Sequence, residues 1–221
     1  MTAAVFRNER TNFRVNSNDP ALPTATQVLD GRSRVDGIAL GATGNITPDW
    51  SIFANYTYLD GRVRQSVSDY CRANPRGSAA NPLGNGCTNS VAIPDPQAGS
   101  RLVQTPEHSG SLFTTYRLPF GLELGYGLTY QGSFYANAPV VAADSQIAPQ
   151  YKVDDYLIHR AYMAYSFREG VTLQLNVQNL TDERYFTSVR NNVNATSGVV
   201  TGGWAAPGDR RQAVLSLFYS F

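Results

Sequence analysis

The chain has 221 residues and a net charge of +1 at pH 7, with charged residues making up 16% of it, against roughly 25% in an average soluble domain. A balance this near neutral points away from nucleic acid and from strongly acidic partners. No uninterrupted apolar run approaches the ~18 residues of a transmembrane helix, which excludes a helical inner-membrane protein; it leaves a β-barrel open, because barrel strands turn half of their side chains inward.

From the amino end, Met1 to Arg10 shows neither an apolar h-region nor a cleavage site. An exported barrel needs a signal, so the strand-like start is expected to continue a longer upstream sequence. Thr2 to Val15 reads as an irregular strand, and Asn16 to Pro23, with two prolines, as a loop. Thr24 to Ile46 is the next strand, with Ile38, Leu40, Ala42 and Ile46 on one face. Thr47-Pro48-Asp49 is a turn signal. Trp50, Ile52, Ala54, Tyr56 and Tyr58 then alternate with Ser51, Asn55 and Thr57. Ser66 to Ser100 is broken by prolines and glycines, carries no periodicity, and is expected to be a long loop.

Leu102 to Leu118 is expected as a strand, followed by a Pro119-Phe120-Gly121 turn. The next strand sets Leu122, Leu124, Tyr126, Leu128 and Tyr130 on one side. Phe134 to Gln150 is a second loop, and Tyr151 to Phe167 a strand with Ala161, Met163, Tyr165 and Phe167 together. After Arg168-Glu169-Gly170, Val171 to Leu180 alternates strictly: Val171, Leu173, Leu175 and Val177 against Thr172, Gln174, Asn176 and Gln178. Thr181 to Asp209 is the third long loop. The closing strand, Arg210 to Phe221, places Ala213, Leu215, Leu217, Tyr219 and Phe221 opposite Gln212, Ser216 and Ser220.

Strict alternation marks strands with one apolar and one polar face, and runs of about ten residues suit a tilted crossing of a bilayer. The fold expected is all-β: a transmembrane antiparallel barrel segment of eight strands, open or partial. The three turns are three residues each, whereas the other connections run to roughly 10, 35, 17 and 29 residues. Short and long connections alternate, as they do when one end of every hairpin faces the periplasm and the other the exterior. Trp50, beside a short turn, is expected in the periplasmic aromatic girdle.

With the strands in place, five blocks resemble the carboxy-terminal barrel of TonB-dependent receptors, siderophore receptors in particular. They are Gln27-Val-Leu-Asp-Gly-Arg-Ser-Arg-Val-Asp-Gly-Ile-Ala-Leu-Gly, Ile46-Thr-Pro-Asp-Trp-Ser-Ile-Phe-Ala-Asn-Tyr-Thr-Tyr-Leu-Asp, Thr105-Pro-Glu-His-Ser, Asn176-Val-Gln-Asn-Leu-Thr-Asp-Glu-Arg-Tyr and Pro207-Gly-Asp-Arg-Arg before the strand ending in Tyr-Ser-Phe. The resemblance covers residues 1–221 and implies the last third of a 22-stranded wall around a plug, with plug and earlier strands absent here. It implies an outer-membrane location and import of a ferric siderophore or similar large ligand. The implied partners are outer-membrane lipid, the barrel assembly machinery (for which Phe221 would be the terminal signal) and an energy-transducing TonB complex reached only through the absent plug.

A ferric siderophore complex is often anionic and aromatic, so a receptor would offer Arg and aromatic side chains to the exterior. The loops supply Tyr70, Arg72, Arg76, Arg101, Tyr135, Arg190 and Trp204, although for any one of them loop solvation explains the residue as well. In an exported protein, Cys71 and Cys87, 16 apart in one loop, are expected to pair; two ligands without a nearby His are too few for a metal. His108 and His159 are expected in the barrel wall. No nucleophile elbow, zinc spacing or phosphate loop is present, so neither an enzyme nor a cofactor is expected. A self-contained eight-stranded barrel acting as an anchor or adhesin is the alternative. Its lumen, rich in Gly, Ser and Thr, would be poorly filled.

Overall fold

The computed structural model describes the chain except for residues 140–149, 169, 195–196 and 221; the terminal signal expected at Phe221 lies outside the described residues. The strands are β1 Thr2–Asn16, β2 Gln27–Thr47, β3 Trp50–Gln65, β4 His108–Arg117, β5 Leu122–Gln131, β6 Phe134–Tyr135 and β7 Lys152–Val153. They continue with β8 Tyr156–Arg168, β9 Val171–Gln178, β10 Phe186–Val193, β11 Val200–Pro207 and β12 Gln212–Tyr219, and a short helix α1 covers Asp69–Ala73. Eight strands form one antiparallel sheet in the order β1-β2-β3-β4-β5-β8-β9-β12. β1 and β12 are its two edges and do not pair, so the sheet is open and the self-contained barrel is not what this chain builds.

The register carries the alternation across the whole wall. Trp50, Tyr116, Leu124, Met163, Leu175 and Leu215 lie in one cross-strand row. Leu122, Tyr165, Leu173 and Leu217 form the next row. Directly opposed residues of an antiparallel pair share a face, so one face is continuously apolar. Leu215 and Leu217 are each 66% exposed. A patch this wide would be a liability in water, and in a bilayer it is met by hydrocarbon. Trp50 Nε1 donates to Thr114 Oγ1 at 2.7 Å beside the Thr47–Trp50 turn, where an indole can keep its N–H satisfied at an interface. At the loop end of the same face, the Tyr56 hydroxyl meets His108 Nδ1 at 2.7 Å, and the Tyr126 hydroxyl meets His159 Nδ1 at 2.6 Å.

The other face is mostly polar and carries few charges. Asn55 Nδ2 donates to Ser111 Oγ at 2.7 Å, and the Ser51 and Thr115 hydroxyls pair at 2.6 Å. Its glycines are covered by aromatic rings from neighbouring strands: Phe6 lies on Gly37, and Phe113 on Gly125 and Gly127. A ring supplies the contact that a glycine side chain cannot, which steadies a strand at its weakest residue.

Several boundaries differ from the sequence expectation. β4 starts at His108, not Leu102, because Gln104 has φ 52° and Pro106 brings no N–H; the Leu102 N–H instead donates to Gly61 O at 3.1 Å. β3 runs on past Tyr58 to Gln65, where the long loop was expected to begin at Ser66. β8 starts at Tyr156, and Lys152–Val153 belong to a separate two-stranded pair with Phe134–Tyr135, inside what was expected as loop. Thr181 to Asp209 is not simply loop: β10 and β11 form a hairpin there, with no alternation to announce it because neither of its faces is packed on a core.

Candidate functional site

The first long connection is organised by α1 and a Cys71–Cys87 disulfide with an S–S distance of 2.03 Å. Ser68 caps α1, its Oγ accepting from the Cys71 N–H at 3.2 Å. Val67, Cys71 and Cys87 are buried together, and Tyr70 packs against them. Three bonds tie this unit to the β1–β2 connection and the start of β2. Ser68 Oγ donates to Ser17 O at 2.5 Å, Asn18 Nδ2 to Gly86 O at 3.1 Å, and the Asp69 N–H to Asp30 Oδ2 at 2.8 Å. Asn89, fully buried, donates to Cys71 O at 2.8 Å and to Pro94 O at 3.0 Å.

The seven loop residues singled out from the sequence fall into two groups. Tyr70 is spent on the disulfide core, Arg72 Nη1 donates to Gln65 Oε1 at 2.9 Å, Arg76 runs alongside Gly84, and Arg101 is ion-paired with Glu107. These four build loop structure. Tyr135, Arg190 and Trp204 belong to the second group. Arg190 stands directly across from Trp204 in the β10–β11 hairpin, and both are exposed. The hairpin leans on the β6 region: the Asn191 N–H donates to Ala136 O at 3.3 Å, and Gln104 Nε2 to Val189 O at 3.4 Å. The Gln104 N–H in turn donates to Tyr135 O at 2.9 Å.

Between the hairpin and the β6–β7 region lies a cleft of about 440 Å³ lined by Lys152, Asp154, Asp155, Arg184, Tyr185 and Phe186, among others. The sequence reading assigned Lys152 to Asp155 to a strand and so missed this cleft. The adjacent carboxylates Asp154 and Asp155, unsuited to a strand interior, were the available signal. Tyr185 packs against Tyr156 with ring centroids 4.3 Å apart and the planes tilted by 43°, and it lies across Gly208.

The base of the hairpin segment is clasped. Asn179, 2% exposed, donates through Nδ2 to Glu183 O and Asp209 O, both at 2.9 Å, and accepts the Glu183 N–H at 2.8 Å. Asp182 accepts from Arg210 and from the Arg211 N–H, which holds its carboxyl well below the usual carboxylate range. The Asn179-to-Tyr185 block and the Pro207-to-Arg211 block thus close on each other.

An antiparallel wall with one lipid-facing side, tight turns at one end and interlocked long connections at the other defines a segment of a transmembrane β-barrel. Residues 1–180 match the family described as TonB dependent receptor-like, beta-barrel. The chain belongs to that family, whose members are transport receptors of the outer membrane and not enzymes. It is 30% identical over 221 residues to a probable TonB-dependent siderophore receptor, PiuA, of Acinetobacter baumannii, covering 100% of this chain and 24% of that protein. It is 28% identical over 189 residues to the catecholate siderophore receptor Fiu of Escherichia coli, covering 86% of this chain and 20% of that one. The crystal structure of PiuA superposes with a TM-score of 0.67 at 27% identity, over 98% of this chain and 25% of that chain. A ferripyoverdine receptor of Pseudomonas aeruginosa bound to ferripyoverdine shares the fold, at TM-score 0.64 and 19% identity, over 99% of this chain and 24% of that chain. The chain spans about a quarter of the length of the curated relatives it matches.

Proposed function

We propose that this chain contributes wall and exterior loops to a receptor that imports a ferric siderophore or a comparably large ligand, with energy delivered through a domain outside these residues. The observation that carries the reading is the exposed Arg190–Trp204 pair, held beside the β6 region at the loop end of the wall. An arginine offers a planar fork of donors to anionic oxygens, and an indole offers a face to aromatic groups. Tyr135 and the Lys152–Arg184 cleft stand in the same neighbourhood. The names of the relatives PiuA and Fiu support a siderophore as ligand.

The test is uptake of radiolabelled ferric siderophores by cells whose only such receptor is the full-length protein carrying these residues. Energy-dependent uptake of at least one complex is expected, with binding weakened in Arg190→Ala and Trp204→Ala. Absence of uptake across catecholate, hydroxamate and mixed complexes, with the receptor present in the outer membrane, would overturn the proposal.

A further inference from the structure

The cleft between the hairpin and the β6–β7 region holds charges of both signs that no partner in this chain satisfies. Lys152, Asp154 and Arg184 line it and are exposed, and none of the three side chains has an ion pair or a hydrogen bond among the described residues. Elsewhere toward the loop end of the wall, arginines are paired: Arg62 with Asp60, Arg101 with Glu107 and Arg210 with Asp182. Asp155, the fourth charged residue of the cleft, is engaged by the Tyr130 hydroxyl.

The backbone keeps the three apart. Val153 and Lys152 pair with Phe134 and Tyr135, the Ala136 N–H donates to Tyr151 O at 2.9 Å, and the Tyr151 N–H donates to Asn137 Oδ1 at 2.9 Å. On the facing side, the Glu183 N–H donates to Asn179 Oδ1 at 2.8 Å and the Gly208 N–H to Tyr185 O at 2.9 Å, so Arg184 sits between two anchored residues. The Tyr151 hydroxyl donates to Gly198 O at 3.2 Å, which joins the two sides directly.

Opposite charges that share a cleft without closing on each other are satisfied together by one ligand group that bears both signs. The two cations suit a carboxylate, Arg184 through its planar fork and Lys152 as a point charge. The Asp154 carboxylate would repel a purely anionic group beside them and suits an ammonium. Tyr151, Val153, Tyr185 and Phe186 supply apolar and aromatic walls for the body that carries the two charges. The volume of about 440 Å³ falls within the ~300–1,000 Å³ of small-molecule sites.

We propose that this cleft is a subsite for a zwitterionic, amino-acid-like group of the ligand, its carboxylate held by Arg184 and Lys152 and its ammonium by Asp154. The subsite rests on the proposed role as an importer, and leaves the anionic chelating part of the ligand to Arg190 and Trp204.

Phenylalanine is the probe, compared with N-acetylphenylalanine, which lacks the cationic charge, and phenylalanine amide, which lacks the anionic one. Saturation-transfer NMR on the detergent-solubilised full-length receptor is expected to rank phenylalanine above both, by roughly five- to tenfold in affinity. Asp154→Asn is expected to bring phenylalanine down to its N-acetyl form and leave the amide weaker. Arg184→Gln is expected to narrow the gap between phenylalanine and its amide and leave the N-acetyl form weaker still. A merely structural role would move all three probes together, and that result in either variant would overturn the subsite. So would equal signals from the three probes on the unaltered receptor, or no signal from any. Uptake of ferric complexes is measured on the same receptor. Uptake without discrimination among the probes overturns the subsite alone, whereas discrimination without uptake of any ferric complex overturns the importer role on which it rests.

Discussion

Asp182 and Arg210, 28 residues apart, face each other across the base of the β10–β11 segment, with Arg210 Nε donating to Asp182 Oδ1 at 2.9 Å and Nη2 donating to Oδ2. The bond lowers the Asp182 pKa and raises that of Arg210. A carboxyl depressed in the folded state contributes stability above its unfolded pKa of about 3.9, and loses it as pH falls through the folded value. Hydrogen exchange within residues 183–209 is therefore expected to quicken in strong acid, and already at neutral pH in Asp182→Asn. Equal protection in variant and wild type at neutral pH would show that Asn179 closes the base without help.

The disulfide should stabilise its loop mainly by restricting the unfolded chain. For a 16-residue separation, the loop-closure relation gives about 3 kcal/mol. Cys71→Ser with Cys87→Ser should lower the unfolding temperature of the full-length receptor. It should also expose the connection between β3 and β4 to protease, and its contacts at Ser17 and Asn18 should loosen together.

Leu124 and Leu173 lie on the lipid-facing side, in neighbouring rows. Arg at either position should cost roughly 2–4 kcal/mol if it sits near the bilayer midplane, and less toward the interfaces. Folding into lipid vesicles measures this, and full tolerance at both positions would contradict the assignment of that face.

Gly121 has φ +82°, and a Cβ there would lie 2.6 Å from Ser166 O. Gly121→Ala meets both a left-handed backbone and a backbone atom that cannot yield, for which on the order of 1–3 kcal/mol is expected. Gly99, with the same φ but open space around it, is the control, and Gly99→Ala should cost less in the same unfolding assay.

Residues 1–221 behind a signal peptide should not restore uptake to cells that lack the full receptor. The unpaired backbone of β1 and β12 would cost several kcal/mol per exposed group in hydrocarbon. Energy-dependent uptake by this piece alone would overturn the proposed division of labour.

The wall was legible because the bilayer imposes a period of two on every strand that crosses it: Leu173 and Leu175 announce β9 without help from neighbours. Beyond the membrane that constraint lapses. Val189, Asn191 and Trp204 belong to a hairpin held chiefly by backbone pairing, and nothing in their hydropathy marks it. The same limit applies to the loop residues. Arg72 and Arg101 look like Arg190 in the sequence, yet the first two are engaged by Gln65 and Glu107, partners that only the folded loops bring near.

The wall is uneven in height. β2 has 21 residues, about 70 Å of strand at ~3.4 Å per residue, and at a tilt of about 45° it rises ~50 Å, well above a hydrocarbon core of ~30 Å. β9 and β12 have eight residues each and rise only ~19 Å on the same reckoning. The rim therefore slopes like a parapet cut down on one side, and the β10–β11 hairpin springs from the low side, between β9 and β12. The tall flank is braced by ladder bonds along its length, whereas the low flank is raised by a unit clasped at its foot through Asn179 and the Asp182–Arg210 pair.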